Sequence, residues 1–173
     1  MGVPDFVSRI RSKLGHDPLP LPGVTAVVFH VDGRLLLVRR ADNRQWGLVT
    51  GCLEPPEQPA TATVREVWEE AGVVAEVDSL LRVESMDLIT YANRDQVYML
   101  DLAFRCRALA GEPHVNDDES IDADWFDLDA LPDIPPRHHA CLTAALHPTG
   151  SSWFAPPDPS ALPPEPHPAP QRQ

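Results

Sequence analysis

The chain has 173 residues, a formal net charge of −12 and a hydrophobic fraction of 43%. This length and composition indicate one globular domain with a short appendage. The excess of acidic residues disfavours binding to DNA or to anionic lipid, no apolar run is long enough to span a membrane, and the N-terminus lacks the apolar core of an export signal.

The first residues predict a short helix that is followed by two paired strands. Residues 4–14 place apolar side chains one helical turn apart, and the proline-rich stretch after them ends the helix. We therefore expect residues 1–20 to form an N-terminal helix and a connector. Residues 24–31 and 34–40 then predict two buried strands joined by a tight turn at Asp32–Gly33.

A further strand and a central helix come next. Residues 45–50 predict a third strand, and a loop with three prolines leads to a helix over residues 59–71. Gly72 ends this helix, because glycine readily takes the left-handed conformation beyond a helix terminus. Two strands are expected near residues 73–78 and 80–86.

The second half predicts two more strands, a closing helix and a tail. Residues 96–107 alternate strongly, and residues 122–128 also predict a strand. Residues 135–147 predict the last helix, so the main domain is expected to span residues 21–147. Residues 148–173 are rich in proline and are expected to be mostly disordered. One face of the alternating segment carries Tyr98, Leu100, Leu102, Phe104 and Cys106.

The cysteines give an expectation about the cellular compartment. Cys52, Cys106 and Cys141 are odd in number and widely spaced. This pattern argues against a disulfide framework and against a paired-cysteine metal site. We expect three buried, inert thiols and a cytoplasmic location.

The predicted helix 59–71 has two chemically different sides. At about 100° per residue, three acids cluster on one side and apolar residues on the other. We expect the apolar side to face the core and the acids to face away from it. The last turn is unfavourable for acids because of the helix dipole, so a cation is expected there, and grouped carboxylates suit magnesium. The acids are Glu66, Glu69 and Glu70, and the apolar residues are Val64, Val67, Trp68 and Ala71.

These acids belong to a longer pattern. Gly51 is followed after five residues by Glu57, and Glu57 is followed after seven residues by the sequence REVWEEAGV, which begins at Arg65. The pattern resembles the Nudix box, G-x5-E-x7-R-E-U-x-E-E-x-G-U with U aliphatic, at every specified position. The likeness extends over about residues 20–147. It implies an α+β fold of the Nudix type, which is an α/β/α sandwich around a mixed β-sheet.

The resemblance implies an activity and a set of roles. Family members hydrolyse a diphosphate linked to another moiety, usually in a nucleoside diphosphate derivative, with magnesium or with manganese in its place. By position, Glu69 and Glu70 resemble the main metal ligands, and Glu66 a third ligand or the general base. The carbonyl of Gly51 resembles a further ligand, Glu57 an acid of the loop, and Arg65 the arginine that orients the glutamates.

Other residues are weaker candidates. Glu119 resembles a late-loop acid that some family members use as a ligand or base, with a solvated loop acid as the alternative. Arg39, Arg40 and Arg44 are candidates to meet substrate phosphates, with surface charge as the alternative. Trp46 is a candidate to stack on a base, although packing in the core is the simpler role.

Substrate and assembly stay open at the level of sequence. No proline lies between Pro59 and Pro113, which disfavours the ADP-ribose pyrophosphatase subgroup. Thr50, Cys52 and Pro56 stand where many family members have glycine. These departures motivate a rival hypothesis, a nucleotide-sensing module that binds without turnover. A small phosphorylated partner, most simply a nucleotide, is expected under both hypotheses, and a homodimer is one candidate state of assembly.

Overall fold

A computed structural model describes residues 4–91, 93–158 and 160 of the chain. Within these residues there are three helices, which confirm the predicted ones: α1 (Asp5–Leu14), α2 (Pro59–Ala71) and α3 (Pro136–Leu146). The same residues form nine strands: β1 (Leu19–Phe29), β2 (Leu35–Arg40), β3 (Trp46–Gly47), β4 (Val49–Cys52), β5 (Val74–Ser85), β6 (Ile89–Thr90), β7 (Gln96–Ala110), β8 (Ser120–Phe126) and β9 (Trp153–Phe154).

The strands form a mixed sheet with a helix on each face, which confirms the predicted α/β/α sandwich. The main strand order is β3-β2-β1-β7-β5-β9, with β4 paired to β1, β6 to β7 and β8 to β2. β1 is parallel to β7 and antiparallel to β2 and β4. Successive side chains of β1 point to opposite faces, so Val28 packs in the core beneath α2 and Val27 packs in the core beneath α3. No helix of the described residues is long and apolar enough to cross a bilayer.

β1 begins at Leu19, earlier than the predicted start at residue 24. The early segment contains Pro20 and Pro22, which lack the N–H that a central strand needs on both sides. Here the segment pairs with β7 on one side, whereas β4 joins the other side only from Gly23 onward. The expected connector is therefore the first part of a strand, and the prolines are tolerated where one side lacks a strand partner.

Two other predicted strand boundaries were wrong. Residues 45–50 form two short strands instead of one, because β3 pairs with β2 whereas β4 pairs with β1. The change of partner occurs at Leu48, whose N–H donates to His138 Nδ1 at 3.0 Å. β5 is one strand instead of two, and its register with β7 shifts between Val77 and Ser79 and again further along. Each shift inserts an extra residue that reverses the side-chain alternation, so the sequence pattern looks interrupted.

The predicted face of β7 is only partly a core face. Phe104 and Cys106 are buried, whereas Tyr98 and Leu100 are 50% and 44% exposed. On this face the strand extends beyond the core cluster beneath α2, so alternation alone overstated how much of the face packs inside.

The beginning of the tail is ordered rather than extended away from the domain. Trp153 and Phe154 form β9, which pairs in parallel with β5. The Arg82 guanidinium lies 3.8 Å from the centre of the Trp153 ring, and Ser152 Oγ donates to the Leu80 carbonyl at 2.9 Å. The prediction of disorder for residues 161–173 lies outside the described residues.

The exposed side of α2 differs from the prediction. Glu66 and Glu70 are 7% and 2% exposed, whereas Trp68 is 50% exposed. The buried arc of the helix is therefore centred near Glu66 and Glu70 and extends to the apolar Val67. The helical wheel gave the correct angular positions of these residues around the helix. The expectation about exposure was wrong, because it assumed that apolar residues are buried and acids are exposed.

This orientation predicts an unusual ranking of substitutions on α2. Val67→Ala should lower the free energy of unfolding by about 2 kcal/mol, because Val67 is fully buried and the change leaves a cavity. Trp68→Ala should cost about 1 kcal/mol or less, although it removes a much larger side chain. Urea unfolding measures both values, and Val31→Ala at a position 91% exposed is the matched control. A larger loss for Trp68→Ala than for Val67→Ala would contradict the orientation.

Candidate active site

An acid of α2 lies directly against a glycine of the sheet. A Cβ atom added to Gly51 on β4 would lie 1.8 Å from Cδ of Glu66. A side chain at this position would therefore force the Glu66 carboxylate to move, and in the present structure this carboxylate rests directly against the backbone of β4. Burial raises the pKa of Glu66 to about 7, against the opposing effect of the Arg65 guanidinium.

Glu70 lies one turn further along α2 and is buried between β4 and β8. The Thr50 N–H donates to Glu70 Oε1 at 3.3 Å, and the Ser120 hydroxyl donates to Oε2 at 3.1 Å. Burial, followed by the neighbouring Glu66 carboxylate, raises the pKa of Glu70 to about 8. Both donors are neutral, so they satisfy hydrogen bonds without offsetting the negative charge of the ionised carboxylate.

Arg65 connects the acids of the helix to the loop before it. Its guanidinium donates to Glu57 at 2.7 Å, to Glu66 at 2.9 Å and to Glu69 at 2.8 Å. It also donates to the Cys52 carbonyl at 3.0 Å. The hydrogen bond from Arg65 lowers the pKa of Glu57. The proline-rich loop thus brings Glu57 to Arg65, and one planar cation contacts three carboxylates and the end of β4.

The loop between β7 and β8 caps the C-terminus of α2. Asn116 Nδ2 donates to the Trp68 carbonyl at 2.9 Å, and the His114 N–H donates to the Ala71 carbonyl at 3.0 Å. The same loop carries Asp117 and Glu119, whose charges raise the pKa of Glu70 further, after the larger effects of burial and of the Glu66 charge. The structure therefore brings Glu119 near the acids of α2.

The remaining sequence candidates are distributed unevenly around this cluster. Arg40 donates to the Asp42 carboxylate at 3.0 and 2.8 Å, and the Glu70 and Glu119 charges raise its pKa after the effects of Asp42 and burial. Arg39 donates to the Arg44 carbonyl at 3.0 Å. Trp46 packs edge-on against Phe126, with ring centres 4.8 Å apart. Of these four candidates, Arg40 alone lines the cavity next to the acids.

That cavity contains functional candidates that the sequence did not reveal. It has a volume of about 270 Å³, and its lining includes Thr50, Gly51, Asp101, Arg137 and His138. Asp101 and His138 are 6% and 4% exposed. The one available signal in the sequence was Asp101, an acid in an otherwise apolar part of β7. Neither its pairing with Arg137 nor its proximity to the acids of α2 could be inferred from residue spacing.

The residues present fit a divalent cation that is completed by other ligands. Carboxylate oxygens are the donors that hard cations prefer, and magnesium is commonly held by one or two carboxylates together with substrate phosphates. Two buried carboxylates at Glu66 and Glu70 also carry a negative charge that a cation would offset. Within residues 4–91, 93–158 and 160, no three Asp, Glu, His or Cys side chains form a ready-made metal cage.

Known proteins of one family resemble this chain in sequence and in fold. A family model for the NUDIX domain matches residues 19–146. A MutT-like protein from Streptomyces ambofaciens is 40% identical over 114 residues, covering 66% of this chain and 68% of that protein. An ADP-ribose pyrophosphatase from Methanocaldococcus jannaschii is 32% identical over 119 residues, covering 66% of this chain and 67% of that protein. The crystal structure of a NUDIX hydrolase from Nitrosomonas europaea matches with a TM-score of 0.63 at 23% identity, covering 79% of this chain and 76% of that chain.

The contact between Gly51 and Glu66 predicts a size-dependent coupling. Gly51→Ala should lower the free energy of unfolding by about 2 kcal/mol, because the new methyl group overlaps the Glu66 carboxylate. In a Glu66→Ala background the same change should cost less than about 0.5 kcal/mol, since the overlapping group is gone. Urea unfolding of the four proteins measures the coupling, and equal losses in both backgrounds would show that the two residues are not in contact.

Proposed function

The chain belongs to the Nudix hydrolase family, and we propose that it hydrolyses a phosphoanhydride bond in a nucleoside diphosphate derivative or a nucleoside triphosphate, with magnesium or with manganese in its place. The acid cluster of α2 carries this proposal. Glu66 and Glu70 are buried against β4, and Arg65 holds Glu57, Glu66 and Glu69 together. A nucleotide-binding surface alone has no need for several buried acids, because acids repel phosphates.

Each acid has a proposed role. Glu69 and Glu70 hold the cation, and the Gly51 carbonyl is a further ligand. When bound, the cation offsets the charge of the diphosphate and activates water as a nucleophile. Glu66 takes the proton from the attacking water, because Arg65 and Gly51 fix its carboxylate in one place.

The surrounding residues act by positioning. Arg65 fixes the acids relative to each other, and Glu57 in turn holds Arg65. Arg40 lies between the acids and the adjoining cavity, and we assign it to a substrate phosphate. Glu119 is a further acid beside this phosphate.

A cytoplasmic location is part of the proposal. Cys52, Cys106 and Cys141 are unpaired and buried. Burial raises the pKa of each thiol, so the thiols are poorly reactive. Unpaired, inert cysteines are typical of proteins in a reducing compartment.

A substrate panel and two acid variants test the proposal. Nucleotide sugars, dinucleoside polyphosphates, ADP-ribose and nucleoside triphosphates are incubated with magnesium, and phosphate is measured after a coupled phosphatase. For any substrate that the wild-type protein hydrolyses, Glu69→Gln and Glu70→Gln should each lower kcat about 100-fold or more, because each removes a charged metal ligand. Glu76→Gln is the matched control at an exposed acid that pairs with Arg107, and should change kcat by less than about twofold.

Two outcomes would overturn parts of this proposal. Full activity in both Glu69→Gln and Glu70→Gln would remove these acids from the metal site. Nucleotide binding without product from any substrate, with magnesium present over hours, would favour the non-catalytic sensing module instead.

A further inference from the structure

The cavity beside Gly51 has largely apolar walls and a group of polar lining residues, Asp101, Arg137 and His138. Met86, Ile89 and Met99 contribute to the walls, together with Tyr91. Flexible, polarisable methionine side chains adapt well to flat ligands. A volume of about 270 Å³ lies at the lower limit of typical ligand pockets, so the cavity suits one part of a ligand, such as a single ring system.

Hydrogen bonds hold the guanidinium of Arg137 in place in the wall of this cavity. Its Nη1 atom donates to Asp101 Oδ2 at 3.0 Å and to Thr25 Oγ1 at 3.2 Å. The Thr25 hydroxyl in turn donates to Asp101 at 2.8 Å. Asp101 and Thr25 are buried, so this network fixes the plane of the guanidinium and offsets its charge. The Nη2 atom of Arg137 is not used in it.

His138 presents a second donor beside this atom. Its Nδ1 accepts the Leu48 N–H at 3.0 Å, and a backbone N–H can only donate. Nδ1 therefore carries no proton, and the neutral ring carries its proton on Nε2. Burial, followed by the Arg137 charge, lowers the pKa of His138 to about 3, so the ring is neutral at ordinary pH.

The two groups form a pair of donors without an acceptor between them. Arg137 Nη2 and His138 Nε2 are 3.1 Å apart, and both carry hydrogen atoms. They cannot satisfy each other, although both line the cavity. One oxygen atom with two lone pairs, placed in the cavity next to them, would accept from both.

We infer that this cavity binds the nucleobase of the substrate, and that Arg137 and His138 select a base with a carbonyl oxygen over adenine, which has none. The inference rests on the proposed function, because the cavity meets the diphosphate site at Gly51. A phosphate oxygen is the other acceptor with suitable chemistry. The observations favour the carbonyl, since Asp101 already offsets the charge of Arg137 and the walls are mostly apolar.

Binding of nucleoside monophosphates tests this inference without relying on hydrolysis, because these ligands contain no phosphoanhydride bond. Inosine and adenosine monophosphates are the matched probes, since one carries a carbonyl oxygen where the other carries an amino group. Calorimetry with the full chain should show inosine monophosphate binding at least about tenfold more tightly. Guanosine and uridine monophosphates should resemble inosine monophosphate.

Two variants remove one donor each and keep the fold contacts. Arg137→Lys keeps a positive charge beside Asp101 but loses the second nitrogen of the fork. His138→Asn keeps an acceptor for the Leu48 N–H but loses the Nε2 donor. Each should reduce the preference for inosine over adenosine monophosphate to about threefold or less, with the affinity for adenosine monophosphate little changed. Arg107→Lys, at an exposed arginine paired with Asp78, should keep the full preference.

The opposite results would overturn the inference. Equal affinities of the wild-type protein for inosine and adenosine monophosphates, or no binding of either at millimolar concentration, would remove the base site. Equal losses for both ligands in Arg137→Lys, or inorganic phosphate competition that this variant abolishes, would assign Arg137 to phosphate. Substrate hydrolysis without base selectivity would overturn this inference and leave the proposed function intact. Base selectivity without hydrolysis of any substrate would support this inference and overturn the proposed function.

Discussion

The contact between Gly51 and the Glu66 carboxylate determines how closely α2 approaches the sheet. Because Gly51 has no side chain, the carboxylate lies against the backbone of β4. This close approach lets the Thr50 N–H reach Glu70 and lets Val67 enter the core beneath the helix. Burying carboxylates is costly unless they are paired or hydrogen-bonded, so the remaining contacts of the site can be understood as compensation for this one arrangement.

The three acids of α2 receive different hydrogen-bond donors and differ in exposure. Glu66 receives a charged donor from Arg65, whereas Glu70 receives neutral donors from β4 and β8. Glu69 is also bound by Arg65 but keeps 46% of its side chain exposed. Three glutamates within one turn and a half of helix therefore have different surroundings. Three identical side chains therefore differ in burial and in hydrogen-bond partners.

Local signals account for what the sequence could predict. Pro59 and Gly72 mark the ends of α2, and the spacing from Gly51 through Glu57 to the helix identifies the acids and Arg65. The buried side of α2 was not predictable, because it depends on a glycine 15 residues earlier in the chain that admits a carboxylate instead of an apolar group. The Asp101–Arg137 pair joins residues 36 apart, and β9 forms only because its partner β5 is already in place. Such features arise from tertiary packing, which short-range patterns do not encode.

The cap on α2 links two parts of the site mechanically. Asn116 and His114 hold the last carbonyls of the helix, and Glu119 follows in the same loop. The turn that they cap is the one that carries Glu69 and Glu70. A displacement of this loop would therefore strain the hydrogen bonds at the end of α2, and a shift of the helix end would strain those of the loop. The acids of the helix and the acid of the loop are thus joined through the capped end of α2, although 48 residues separate Trp68 from Asn116.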